Sequence, residues 1–203
     1  MILYPTYFSP IAHYVTLVKA DTIVFETEDS YQKQTYRTRC YIFGANGKQL
    51  LNIPIQHSTS TKTKDVKIDM SSQWYKQHIK AMQMAYSSSP YFEFYEEDIL
   101  SIFNKIPKFL LDLNFKCQEV ILELLQLEIT YTTTNEYIKK YTDSNDFRFL
   151  ADAKSQQQYH LDNYIQVFSD KFGFIENLSI LDLLFMEGTN ALIYLENQTI
   201  KPV

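Results

Sequence analysis

Only four glycines occur in 203 residues, at positions 44, 47, 173 and 188. Folds that cradle phosphate in a glycine-rich turn need several glycines within a few residues of one another. Neither GxGxxG nor GxxxxGK[ST] can be written anywhere in this chain. Dinucleotide-binding fingerprints and nucleotide-binding P-loops are therefore excluded.

Apolar periodicity supplies the elements. Ile2-Leu3-Tyr4 is a short apolar run stopped by Pro5, and Ser9-Pro10 reads as a helix start, with Ser9 as N-cap and Pro10 in the first turn. Ile11, Tyr14, Val15 and Val18 follow at helical spacing, and Thr22 to Phe25 reads as a buried strand. Strand, loop, helix and strand in this order make a βαβ opening, with parallel strands and a ligand-facing loop after the first. Asn46-Gly47 between two apolar runs predicts a hairpin, and Val66 to Asp69 reads as a further short strand. Trp74, His78, Met82 and Ala85 lie on one face of a helix, and Pro107 to Leu127 predicts a longer one with Leu110, Leu113, Cys117, Ile121, Leu124 and Leu125 inward. Glu128 to Thr133 is β-like, and Leu178 to Phe185 and Ala191 to Leu195 read as closing helices. The expected fold is mixed α/β: an N-terminal βαβ-type mixed sheet packed by several helices and a helical C-terminal half, as one domain over residues 1–203.

Composition narrows the functional classes. With 45% apolar and 21% charged residues, the composition is that of an ordinary folded chain. The 16 Tyr and 14 Phe predict many half-buried rings. Cys40 and Cys117 lie far apart without CxxC spacing, and the N-terminus lacks the pattern of a secretory leader. No apolar stretch reaches the length a membrane helix needs, roughly 20 residues. No membrane insertion is therefore expected, and a cytoplasmic location follows. The four His residues show no ligand spacing, so no metal site is predicted, and the cofactor is unknown from the sequence. The carboxylates Glu93, Glu96, Glu97 and Asp98 cluster near a helix start.

Charge is unevenly spread. Between Lys33 and Lys80 nine basic residues stand against two acidic ones, which gives +7 in a chain of net −5. Such a segment suits a small phosphate- or carboxylate-bearing anion, while the acidic remainder argues against nucleic acid. The plainer alternative is a strand edge guarded by lysines. Strand alternation would put Arg37 and Arg39 on one face, joined by Lys33 from the turn, as guanidinium and ammonium groups around an anion. Tyr7 and Tyr36 are candidate walls of that site. His78, a near-neutral titrator one turn after Trp74, is the candidate acid/base, with His57 second. The loop Thr6 to Tyr14 loosely resembles the strand-to-helix turn of HxGH-type nucleotidylyltransferases, with His13 near the last His of that motif but without the preceding Gly. Asp182, polar in the run LSILDLLF, is expected to pair with Arg37 or Arg39.

Several blocks carry a family resemblance. They are Pro5-Thr6-Tyr7-Phe8 with Pro10 and Tyr14; Lys19-Ala20-Asp21; Tyr31 to Cys40; Ala45-Asn46-Gly47 with Ile53-Pro54-Ile55; Ile68-Asp69, Trp74 and His78; and Pro90-Tyr91-Phe92. Asp112-Leu113-Asn114, Gln166-Val167-Phe168, and Asn177 to Phe185 with Gly188 complete the set, which resembles the WbqC-like family in the same order. The chain departs from that pattern at Met186, where the family usually has Asn, and in a shortened segment between Asp146 and Tyr159. The resemblance implies a place in O-antigen or other surface-polysaccharide biosynthesis, and group transfer onto a sugar or its precursor as the expected reaction. The substrate, any cofactor and the oligomeric state stay open. The alternative from another class is a non-catalytic binding or assembly subunit of a biosynthetic complex.

Overall fold

The computed structural model describes residues 1–56, 62–141, 145–155 and 157–201. It is a mixed α/β structure. Strand β1 (Ile2–Leu3) passes through helix α1 (Ile11–Leu17) to strand β2 (Ile23–Phe25), which runs parallel to it with Ile2 opposite Val24 and Leu3 opposite Phe25. This is the βαβ opening that the apolar runs predict. Strands β3 (Arg39–Gly44) and β4 (Gly47–Asn52) form the antiparallel hairpin, in which Ala45 and Asn46 make the turn and Gly47 takes φ +98°.

Helices α2 (Trp74–Tyr86), α3 (Phe92–Ser101) and α4 (Leu110–Leu124) follow. The expected inward face of α2 is the buried one, with Trp74, His78, Met82 and Ala85 all in the core. Helix α4 is shorter than the apolar pattern at both ends but buries Leu110, Leu113, Cys117 and Ile121 as expected, with Leu125 buried just past its end and Leu124 only half-buried. Strand β5 (Tyr131–Thr133) then joins the free side of β2 in parallel, so the sheet order is β1-β2-β5. A parallel bridge from Ile2 to Asp146 extends the sheet beyond β1. After the single turn α5 (Ser169–Phe172), helices α6 (Ile180–Glu187) and α7 (Ala191–Asn197) close the chain. One apolar core draws on residues from Leu3 to Leu195.

Three local expectations are corrected. Ser9 caps nothing at α1, because its hydroxyl pairs with Thr6 Oγ1 at 2.6 Å, and the first helical amides are closed from outside by the Leu178 carbonyl (2.9 Å) and Asn177 Oδ1 (2.8 Å). Residues 66 to 69 form no strand; Ile68 and Lys67 make single bridges to Ile55 and Phe109. Asp182 has no basic partner among the described residues. Its carboxylate accepts hydrogen bonds from Tyr86 Oη (2.8 Å), Tyr164 Oη (2.5 Å) and Gln166 Nε2 (2.9 Å), and burial raises its pKa. With Tyr86 also accepting from the Phe43 amide (3.1 Å), the buried acid ties α2, β3, α6 and the segment before α5 together. Tyrosine hydroxyls do here what an ion pair would do elsewhere, without a second desolvated charge.

Gly188 follows α6 at φ +55°, and a Cβ there would lie 2.5 Å from the Tyr91 ring. Steric overlap with a ring held by its own backbone adds to the left-handed strain. Gly188→Ala is expected to cost about 2–4 kcal/mol, read as a lowered urea midpoint at unchanged m-value. A loss below ~0.5 kcal/mol would mean that the Tyr91 ring moves aside freely.

Candidate functional site

Parallel strands of an open sheet present their ligand crevice outside their carboxyl ends. The residues there are Tyr4 after β1, Glu26 after β2, Thr134 after β5, and Arg148 shortly after the Asp146 bridge. They form one polar cluster. Glu26 is wholly buried; its Oε1 accepts from Thr134 Oγ1 and the Glu28 amide, each at 2.8 Å, and its Oε2 lies 3.6 Å from Arg148 Nη1. Arg148 grips Asp146 with two prongs, Nε to Oδ1 at 2.9 Å and Nη2 to Oδ2 at 2.7 Å, and gives Nη1 to the Ile138 carbonyl.

A second arginine enters from the turn before β3. Arg37 is fully buried, donates Nη2 to Asp29 Oδ2 at 2.6 Å, and lays its guanidinium 3.8 Å from the centre of the Tyr4 ring. Asp29 is held in turn by Thr63, whose hydroxyl donates to Oδ1 at 2.6 Å. Nε and Nη1 of Arg37 have no acceptor. The Arg148 guanidinium lies 5.9 Å from the same Tyr4 ring. Burial and the Asp29 charge push the Tyr4 phenol up, and the two guanidiniums pull it down less strongly, so its hydroxyl stays protonated.

Over this cluster opens a pocket of about 320 Å³, lined among others by Tyr4, Lys33, Arg37, Arg148, Asp152 and Lys154. Arg37 forms the floor and is closed to water, whereas Lys33 and Lys154 are exposed at the rim. The two lysine-bearing turns are pinned to each other by the Tyr36 amide on the Ala151 carbonyl (2.8 Å) and by the Thr35–Asp152 bridge.

The sequence-predicted residues divide between this pocket and the core. Lys33 and Arg37 come together at the pocket. Strand alternation does not unite Arg37 with Arg39, because β3 begins at Arg39 and Arg37 lies in the turn before it; Arg39 sits opposite Asn52 and is not among the lining residues. Tyr36 is buried and meets Tyr41 edge-on. Tyr7 is fully buried, with its hydroxyl 2.9 Å from His78 Nδ1, and Trp74 packs edge-on against the His78 ring. Burial lowers the His78 pKa to about 4, against the opposing effect of a hydrogen bond with the Asn52 backbone. Tyr7 and His78 thus make a strut between the first loop and α2, away from the pocket.

The first loop, which carries the candidate wall Tyr7, does not line the pocket. Residues 6 to 15 are buried, and the pocket's second wall comes instead from residues 148–154. The α1 amides that would meet phosphate are already bonded, and His13 is buried with neither ring nitrogen partnered, its pKa lowered to about 3 by burial. His57 lies outside the described residues. Glu93, Glu96 and Glu97 border a shallow hollow on α3, and no group of metal-ligating residues occurs among the described residues.

Tyr4, Arg148 and Lys154 line this candidate pocket, and Glu26 and Asp29 lie beneath it, without any of them entering the motif reading. Tyr4 and Glu26 carry a usable signal, since Tyr4 ends the first apolar run of the βαβ unit and Glu26 follows the second. Arg148 and Lys154 carry none, because they stand in a polar stretch without periodicity.

Residues 5–157 of the chain, well over half of its length, match the model of the WbqC-like protein family. No curated protein and no solved structure matches the chain. No helix among the described residues is long and apolar enough to cross a membrane.

Proposed function

The chain belongs to the WbqC-like protein family, and on that premise we propose that it binds a small, anionic, activated substrate in the strand-end pocket and transfers a group within surface-polysaccharide or related biosynthesis. The reading takes residues 1–203 as one domain working in the cytoplasm. The observation that carries it is the position of the pocket: it lies at the carboxyl ends of the parallel strands, with Lys33, Arg37, Arg148 and Lys154 in its lining and Asp152 as the lone acid there.

Lys33 and Lys154 meet the anion directly. Arg37 closes the floor from beneath, its charge balanced by Asp29 at 2.6 Å. Tyr4 offers a neutral hydroxyl as a hydrogen-bond donor to the substrate. The reading gives Tyr7, Tyr36, Arg39 and His78 no contact with substrate, since they are buried or stand apart from the lining.

The test is a thermal-shift screen of sugar phosphates, nucleotide sugars, acyl thioesters and nucleotides on the native protein and on Lys33→Ala. Lys33 is exposed and its loss leaves the buried ion pairs intact. A ligand at about 100 times its Kd stabilises by about 2.7 kcal/mol, which raises Tm by roughly 5–10 °C in a chain of this size. Lys33→Ala is expected to remove most of that shift at the same ligand concentration. A panel without any stabilising anion, or a shift indifferent to Lys33, would overturn the assignment.

A further inference from the structure

The charges around the pocket are not equally available. Arg37 is committed to Asp29 at 2.6 Å, and Arg148 to Asp146 at 2.7 Å with Glu26 at 3.6 Å. Lys33 and Lys154 have no acidic partner among the described residues, and they stand on turns that the Thr35–Asp152 bridge holds side by side. The free positive charge of the site is therefore two ammonium groups at one rim, over a floor whose guanidinium keeps two donors unpaired.

Two free ammoniums match a dianion better than a monoanion. A phosphate monoester carries close to two negative charges at neutral pH and three acceptor oxygens, whereas a single carboxylate leaves one ammonium unanswered. Size points the same way. The pocket encloses about 320 Å³. Ligand sites span roughly 300 to roughly 1000 Å³, which puts this one near the small end. Its two lining rings are already engaged: the Arg37 guanidinium lies 3.8 Å from the centre of Tyr4, and Phe149 packs on Phe147 at 6.0 Å. What remains for the body of the ligand is polar, namely Gln32, Thr35 and Asp152, which offer donors and acceptors suited to hydroxyl groups.

We infer that the substrate bound at this site is the phosphate monoester of a compact, hydroxyl-rich molecule, with its phosphate between Lys33 and Lys154, rather than a nucleotide or a carboxylic acid. This rests on the anion-site reading above and narrows it.

The experiment is calorimetric titration of the full chain with glucose 1-phosphate, glucuronate, uridine monophosphate and inorganic phosphate, repeated on Lys33→Ala and Lys154→Ala. Both lysines are exposed, and far-UV circular dichroism with the urea midpoint checks that each variant stays folded. Glucose 1-phosphate is expected to bind at least 10-fold more tightly than glucuronate and than inorganic phosphate, and uridine monophosphate no more tightly than inorganic phosphate. Each lysine variant weakens the sugar phosphate about 10-fold, the effect of losing one charge-assisted contact of roughly 1.4 kcal/mol. Tighter binding of uridine monophosphate than of glucose 1-phosphate, or equal binding of glucuronate, with both still dependent on Lys33, would sink the monoester assignment and leave the anion site standing. Binding of the sugar phosphate that neither lysine variant weakens would sink both readings, as would no binding of any probe.

Discussion

Asp29→Ala is expected to destabilise the protein by about 3–5 kcal/mol, the largest loss of any single polar substitution in the strand-end cluster. The reason lies in what stays behind. Arg37 is fully buried, and its only ionic partner among the described residues is Asp29. Two of its nitrogens are already without acceptors, so removing the carboxylate leaves a desolvated guanidinium with little beyond the Tyr4 ring to stabilise it. A cation–π contact of ~2 kcal/mol at best does not offset several kcal/mol of lost hydration. Thr63 loses its acceptor as well.

The joint replacement Arg37→Met with Asp29→Leu removes both charges and keeps apolar volume, and it is expected to be more stable than Asp29→Ala alone. Urea unfolding of Asp29→Leu, Arg37→Met and the double variant gives the coupling energy, which should exceed ~2 kcal/mol for a pair in contact. If the effects are additive within ~0.5 kcal/mol, or Asp29→Ala costs less than ~1 kcal/mol, the cluster is hydrated and Arg37 is not the sealed cation described above.

This pair also shows where sequence reasoning reaches its limit. The βαβ opening, the Asn-Gly hairpin and the buried face of α2 are local patterns, written in apolar runs and turn residues that need no distant partner. Thr35-Tyr36-Arg37-Thr38 has equally good local credentials as a strand, with alternating polar and larger residues. It is a turn because the Tyr36 amide is taken by the Ala151 carbonyl, more than a hundred residues away, and Thr35 is bridged to Asp152. Tertiary hydrogen bonding overrides strand propensity at that point. The same distance hides the candidate site, since Tyr4, Glu26, Asp29, Arg37 and Arg148 meet only after the parallel sheet forms. Asp182 teaches the converse. An acid in an apolar helix suggests a cationic partner, but the excess of tyrosine was the better guide, because hydroxyls satisfy a buried carboxylate without adding a charge.

Acid should unfold this protein through its buried histidines. His13 and His78 are held neutral by burial, with pKa values of about 3 and about 4, against ~6.5 for histidine in an unfolded chain. Below pH ~6.5 the unfolded state takes up protons that the folded state refuses, so stability falls as the pH drops. The contribution is complete above that pH, shrinks by up to ~1.4 kcal/mol per pH unit for each ring, and levels off only near pH 4 for His78 and pH 3 for His13. Together the two reach several kcal/mol, on the order of half or more of a typical domain stability of about 5–15 kcal/mol. Asp182 works in the opposite sense over part of this range, because its raised pKa lets the folded state bind a proton more readily than the unfolded one.

The two histidines are distinguishable. Neither ring nitrogen of His13 has a partner, so His13→Leu removes an unpaired buried polar group and should stabilise the protein by about 1–3 kcal/mol at pH 7, with a larger gain at pH 5. His78→Leu strands the Tyr7 hydroxyl and should destabilise at pH 7 by about 1–3 kcal/mol while flattening the acid slope. Urea unfolding at half-unit steps from pH 7.5 to 4.5 measures both effects. An unfolding free energy flat over that range in the native chain, or a slope that neither substitution changes, would show that water reaches these rings and that the core around α1 and α2 is not sealed.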